Sequence, residues 1–213
     1  MKQEGPLAEK YAKRKAKIEA RLLHFEKVGR MGGKRLFEEL CFCLLTPQSK
    51  ARSCNRAVGE LRERKLLLDG SAKEIAALLA SRTRFHNNKA GYIVEAREKF
   101  GKNGFALLAH ATFSGTERHA RDFFVKQVKG LGMKEASHYL RNVGRGKTLA
   151  ILDRHILKNL AKQGAIEGVP KTLSAKRYLE IERRMEEFCA KAGIPLAHLD
   201  LLFWAEETEE IFK

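Results

Sequence analysis

The chain has 213 residues, 44% of them apolar, enough for one compact domain or for two small lobes sharing a cleft. Forty-two Lys and Arg against 26 Asp and Glu give a net charge of +16 and a pI near 9.9, which favours a polyanionic partner because each neutralised phosphate releases counterions. No run of 18 apolar residues and no signal-peptide pattern occurs, which argues against a membrane-spanning or secreted protein and for a soluble intracellular one, although RNA or a membrane surface would satisfy the same charge.

The pattern is 3.6-periodic throughout, proline is scarce and no period-2 strand stands out, so the chain reads as all-α. A basic first helix is predicted from about Pro6 to Val28, with Ile18, Leu22, Leu23 and Phe25 on its apolar side, broken by the Gly29–Gly33 stretch. Leu36, Phe37, Leu40, Cys41 and Leu44 form a strongly apolar helix that stops at Thr46-Pro47. Ser49 opens the next, with Ala51, Cys54, Val58 and Leu61 inward. Ser71–Glu74 and Ser114–Glu117 both read as capping boxes, and a helix near Asn88–Phe100 lies between them. Two long helices, about Leu173–Ala192 and Pro195–Ile211, follow at the C-terminal end. Cys41, Cys43, Cys54 and Cys189 fall inside apolar patterns with no C-x-x-C pair, so they read as small buried hydrophobes and not as ligands of zinc or an iron–sulfur cluster.

The stretch from Phe123 to Leu140 carries the first specific signal. A periodic helix ends at Val128, a Gly130-Leu131-Gly132 hairpin follows, and a new helix begins at once. Two glycines permit a tight turn with positive φ and leave amides uncovered, and with the next helix N-terminus they form a phosphate site. Leu131 would plug the hairpin into the helix pair. Such a device grips a nucleic-acid backbone and reads no sequence.

Lys134 stands in the first turn after the hairpin, and nineteen residues on Asp153 ends a short apolar run, where its carboxylate should cap the following helix. Hairpin, lysine and aspartate in this order resemble the helix-hairpin-helix DNA glycosylase superfamily. Leu45-Thr-Pro-Gln48, Arg84-Phe-His-Asn-Asn-Lys-Ala90 and the tail from Asp200-Leu-Leu-Phe-Trp204 to Lys213 are most similar to the archaeal-type 8-oxoguanine DNA glycosylase/lyase family. The four-cysteine cluster usual in the endonuclease III branch is missing, and the adenine-glycosylase branch generally lacks the lysine.

The resemblance implies an all-α, two-lobed helix-hairpin-helix architecture with an interlobe cleft, in a single unit over residues 1–213. One lobe would span about 36–148 with the hairpin at 128–134, and the other would combine about 1–35 with 149–213. It also implies a base-excision-repair enzyme, a monomer acting on double-stranded DNA that contains 8-oxoguanine and associated with the nucleoid. Lys134, made neutral by desolvation and neighbouring cations, would attack C1′ of an extruded nucleotide, and Asp153 would balance charge on the sugar.

Gly130, Gly132 and His155 would contact the backbone. Gln48 would fill the gap left by the extruded nucleotide, Arg84 would read the opposite base, and Asn88 and Lys89 would complete a second basic loop. Trp204 or Phe85 would stack on the damaged base, and Lys213 would lie near it. No organic cofactor and no side-chain metal site are implied; a structural Na⁺ or K⁺ is expected at the hairpin carbonyls. A non-catalytic DNA-binding module explains the charge and hairpin but leaves the Lys134–Asp153 spacing to chance, and an oxidised-pyrimidine glycosylase would share the pair.

Overall fold

The computed structural model describes residues 6–208 and 211–213, so residues 1–5 of the expected second lobe and Glu209 and Glu210 lie outside it. Among the described residues the regular elements are all helical. α1 (Pro6–Gly29) buries Ile18, Phe25 and Val28 and leaves its lysines outside. Leu23, expected inside, is 53% exposed. Five residues past Ile18 it is turned roughly 140° away around the helix.

α2 (Gly33–Leu45) is buried on almost every side and forms the axis of a first core. Around it in chain order come α3 (Ala51–Glu63), α4 (Leu66–Asp69), α5 (Ala72–Leu79), α6 (His86–Phe100), α7 (Ala106–Phe113), α8 (Glu117–Gln127) and α9 (Met133–Asn142). This core runs from Val28 to Leu149, with the Phe37 and Phe105 rings stacked at 4.8 Å and Phe124 edge-on to Tyr139 at 4.9 Å. A second core joins Ile18 and Phe25 of α1 to Ala150, Leu152 and the apolar faces of α10 (Arg154–Lys162), α11 (Ala175–Ala192) and α12 (Leu196–Thr208). All four cysteines are buried and free.

The Ser71–Glu74 capping box is present, with Ser71 N–H donating to Glu74 Oε2 at 2.8 Å and Glu74 N–H to Ser71 Oγ at 3.3 Å. The one expected at Ser114–Glu117 is not. Thr116 caps α8 instead, accepting from His119 N–H at 3.2 Å. Glu117 is then the first residue of α8, too early to reach back, and accepts from Thr148 N–H (2.7 Å) and Lys147 N–H (3.1 Å). The helix expected to start at Asn88 starts at His86. α11 starts at Ala175, capped by Ser174, whose Oγ accepts from Arg177 N–H at 3.3 Å.

The lobes meet along α9, whose Ser137, His138, Arg141 and Asn142 are buried although polar. From α8, Arg121 reaches Glu182 of α11 in a two-pronged ion pair at 2.6 and 3.0 Å. Glu182 Oε1 also accepts from Ala150 N–H at 2.9 Å, while the Tyr178 hydroxyl donates to the Ala150 carbonyl (2.7 Å) and accepts from Leu152 N–H (3.3 Å). Buried amides of the extended segment that crosses between lobes thus find partners on α11, which fixes where the segment delivers Asp153.

Candidate active site

At the seam of the two cores a cavity of about 550 Å³ is lined by Gln48, Lys134, His138, Arg141, Asp153, His155, Asp200, Trp204 and Lys213, with Lys50 and Arg154 also on its wall. Six of the twelve residues singled out in the sequence therefore share one space.

The hairpin sets the position of Lys134. Gly130 has φ +88°, and a Cβ there would lie 2.3 Å from the Tyr92 ring, so backbone conformation and close approach both require glycine. Gly132 does not adopt the expected positive φ. It is the extended N-cap of α9 at φ −91°, and its carbonyl accepts from Ala136 N–H at 2.9 Å. Leu131 is 5% exposed in the first core, plugging the hairpin as predicted. Lys134 is the second residue of α9, and its side chain is largely covered.

Its Nζ lies 3.6 Å from the Glu135 carboxylate. A carboxylate suits the first turn of a helix, where free amides carry positive charge. Two further cavity cations are paired, Arg141 with Asp200 at 2.5 Å and Lys213 with Glu39 at 2.7 Å.

Asp153 is the N-cap of α10, with Oδ1 accepting from Ile156 N–H at 2.8 Å. His155, in the first turn of the same helix, meets the Trp204 ring edge-on at 5.6 Å. Trp204 is half-buried and forms part of the cavity wall, so its indole is not spent wholly on the core. The Lys213 ammonium lies 4.7 Å over the Phe42 ring, held there by Glu39, which also accepts from Arg35 (2.6 Å) and Asn142 (3.2 Å).

Arg84 and Phe85 do not line the cavity. They form an exposed turn beside it, the guanidinium 5.3 Å over the neighbouring ring and Phe85 at φ +57°. Lys89 is not part of a solvated basic loop with Asn88: it is 3% exposed and points into the protein beneath Gln48.

Four residues that the sequence did not single out shape the site. Lys134, His138 and Arg141 follow one another at i, i+4 and i+7 on α9, and Asp200 and Trp204 at i and i+4 on α12, a stripe readable by helical projection. Burial pushes the Asp200 carboxyl up to about 6, against the pull of Arg141 and with Asp153 adding to the rise. Burial, with Arg141, Lys134 and Lys213, holds His138 well below the usual histidine range and leaves a neutral imidazole. Glu39, the fourth, anchors Lys213 from below. Among the described residues no group of three or more His, Cys, Asp or Glu is placed to hold a metal ion, and no helix is long and apolar enough to cross a membrane.

Known proteins are similar to this chain along nearly its whole length. A family described as 8-oxoguanine DNA glycosylase matches residues 18–194. The 8-oxoguanine DNA glycosylase/AP lyase of Fusobacterium nucleatum is 43% identical over 206 residues, covering 95% of this chain and 94% of that protein. The crystal structure of the Methanocaldococcus jannaschii 8-oxoguanine DNA glycosylase superposes with a TM-score of 0.86 at 34% identity, over 97% of this chain and 94% of that one. The Methanocaldococcus jannaschii glycosylase/lyase in complex with a 15mer DNA containing 8-oxoguanine gives 0.85 at 34% identity, over 97% and 99%. The chain described here belongs to the 8-oxoguanine DNA glycosylase family.

Proposed function

We propose that this protein is a bifunctional DNA glycosylase and AP lyase that removes 8-oxoguanine from double-stranded DNA in base excision repair. The observation that carries the reading is the convergence of Lys134 and Asp153 on one cavity, with Trp204 in its wall. A base inside the duplex offers no access to C1′, so the nucleotide is extruded and its base enters the cavity, where Trp204 supplies an aromatic face. Gln48, on the exposed turn at the cavity, occupies the space left in the stack, and Arg84 faces the opposite strand. The hairpin of Gly130 and Gly132 holds backbone phosphate, and His155 adds a contact near it.

The Lys134 amine attacks C1′ in its neutral form, so a proton leaves it first, with Asp153 as the carboxylate that accepts it. As the N–C1′ bond forms, the bond from C1′ to the base breaks and the base departs with its electron pair, taking up a proton. Asp153 opposes the positive charge that builds on the sugar. The sugar ring then opens to a Schiff base on Lys134. The imine acidifies C2′; loss of that proton expels the phosphate from C3′ and nicks the strand. These steps need no organic cofactor.

A Na⁺ or K⁺ at the hairpin carbonyls fits the donor chemistry. Hard carbonyl oxygens suit such ions, and the Gln127 carbonyl at the end of α8 already accepts from the Lys99 ammonium at 3.0 Å. Carbonyls from Val128 to Leu131 would hold the ion, which would add positive charge under a phosphate. The same reading makes residues 1–213 one working unit, a monomer at the nucleoid, with one lobe near 36–148 and the other from 1–35 and 149–213.

Duplex DNA carrying 8-oxoguanine opposite cytosine, mixed with the protein and borohydride, tests the proposal. A covalent protein–DNA band that requires both the lesion and Lys134, and vanishes in Lys134→Gln, is the expected result. Intact binding with no band and no base release overturns it.

A further inference from the structure

Beneath the turn that carries Gln48 lies a buried ammonium. Lys89, 3% exposed, donates to the Leu45 carbonyl (2.7 Å), the Pro47 carbonyl (2.8 Å) and the Ser49 hydroxyl (2.9 Å). An ammonium has three protons, and all three are used on one five-residue stretch where α2 ends and the turn begins. The same Ser49 oxygen accepts from Arg84 N–H at 3.0 Å, so the turn at 46–50 and the turn at 84–85 are tied at a single atom.

Both turns hold a side-chain-bearing residue in the left-handed region, Gln48 at φ +52° and Phe85 at φ +57°. Such conformations persist only where the surroundings over-determine them. The ammonium does this for Gln48 by gripping the chain on either side of it. Helix-end carbonyls carry partial negative charge, so a cation at Leu45 is favoured there as well. Burial lowers the Lys89 pKa, and the three acceptors offset that cost.

We propose that Lys89 is a positioning residue for strand penetration: it locks the Gln48 turn and the Arg84–Phe85 turn into one rigid wedge. Both turns then meet the duplex together as the damaged nucleotide leaves the stack. A Gln48 free to relax to the right-handed region would no longer point its amide at the vacated space. The proposal rests on the glycosylase reading above. It assigns Lys89 no contact with DNA, and it differs from a plain helix-capping role in requiring that Lys89 and Gln48 act as a unit.

The test compares two substrates and one probe. Single-turnover base release is measured on the 8-oxoguanine duplex, nicking on an abasic site in single-stranded DNA, and extrusion by 2-aminopurine fluorescence beside an abasic site in a duplex. Lys89→Met should lose at least roughly tenfold more on duplex base release than on single-strand nicking, with the fluorescence rise reduced in step. Gln48→Ala should cost a similar factor alone but less than about twofold more in the Lys89→Met background, since coupled residues are not additive. Ser49→Ala, which removes one of the three acceptors and the tether to Arg84, should show the same pattern in weaker form.

Equal losses on both substrates, or a Gln48→Ala effect that multiplies undiminished, overturns the proposal. Should Lys89→Met fail to fold, Ser49→Ala decides on the same two ratios. A wild-type protein that unstacks the duplex but releases no base sinks the glycosylase reading, and the fluorescence comparison still decides this one.

Discussion

Arg121 on α8 and Glu182 on α11 form a buried ion pair between the two lobes, 2.6 and 3.0 Å between nitrogen and oxygen, with at most 2% of either side chain exposed. Removing one partner of such a pair strands the other charge. Arg121→Met should therefore destabilise the fold by about 3–5 kcal/mol in urea denaturation. Arg121→Met combined with Glu182→Leu should recover much of that loss, though not all, because Ala150 N–H then loses its acceptor. A double variant as unstable as the single one would mean that the pair does not set the cost.

Asp200 should make stability depend on pH in an unusual direction for a carboxylate. Its folded value near 6 lies above the ordinary 3.8, so the folded state binds the proton more tightly than the unfolded one. The contribution is then fully present below about pH 4 and is lost as pH rises toward and through about 6, by on the order of 3 kcal/mol. Other carboxylates with opposite slopes cancel in the comparison with Asp200→Asn. Denaturant midpoints of the two proteins from pH 4 to 7.5 should diverge in favour of the variant as pH rises; parallel curves would rule the effect out.

Asp153 has two separable duties. An asparagine caps a helix about as well as an aspartate, so Asp153→Asn should keep the bond to Ile156 N–H and change stability by less than about 0.5 kcal/mol. It cannot oppose positive charge on a sugar, and base release should fall by roughly a hundredfold or more. Asp153→Ala should lose a further ~1 kcal/mol of stability with the cap. Thermal melts and single-turnover excision on the same preparations separate the two effects.

The hairpin glycines should respond unequally. Gly130→Ala forces φ +88° on a residue with a Cβ and drives that atom to 2.3 Å from Tyr92, which should cost upwards of about 2 kcal/mol and weaken binding to undamaged duplex. Gly132→Ala meets only the Glu135 carboxylate at 3.2 Å, from an ordinary φ, and should cost about 1 kcal/mol or less. Equal effects in melts and in fluorescence-anisotropy titrations would contradict the geometry.

The helices, the hairpin and its leucine plug were legible because each depends on neighbours within a few turns of chain, whereas Lys134 and Asp153, nineteen residues apart, were paired only through the resemblance to the helix-hairpin-helix glycosylases. Periodicity marks a buried face, a glycine marks a turn, and a carboxylate before an apolar run marks a cap. Arg141–Asp200 and Glu39–Lys213 were not legible, since their partners lie 59 and 174 residues apart and only packing brings them together. Lys89 misled for a related reason. Beside Arg84 and Asn88 a lysine reads as solvated, and nothing local reveals that the carbonyl end of α2 lies underneath. The Ser114–Glu117 motif failed because Thr116 competes for the same cap and the bare amides at 147–148 offer Glu117 another partner.

The crossing segment that delivers Asp153 is held by Tyr178 and Glu182, and the cavity wall is completed by Asp200, Trp204 and Lys213. Chains fold from the N-terminus as they leave the ribosome. A nascent chain that has emerged as far as α10 already carries Lys134 and Asp153, yet neither the tether nor the last part of the wall exists. The cavity is therefore completed only with the last fifth of the chain, and a chain stalled before α11 would have the hairpin without the finished site.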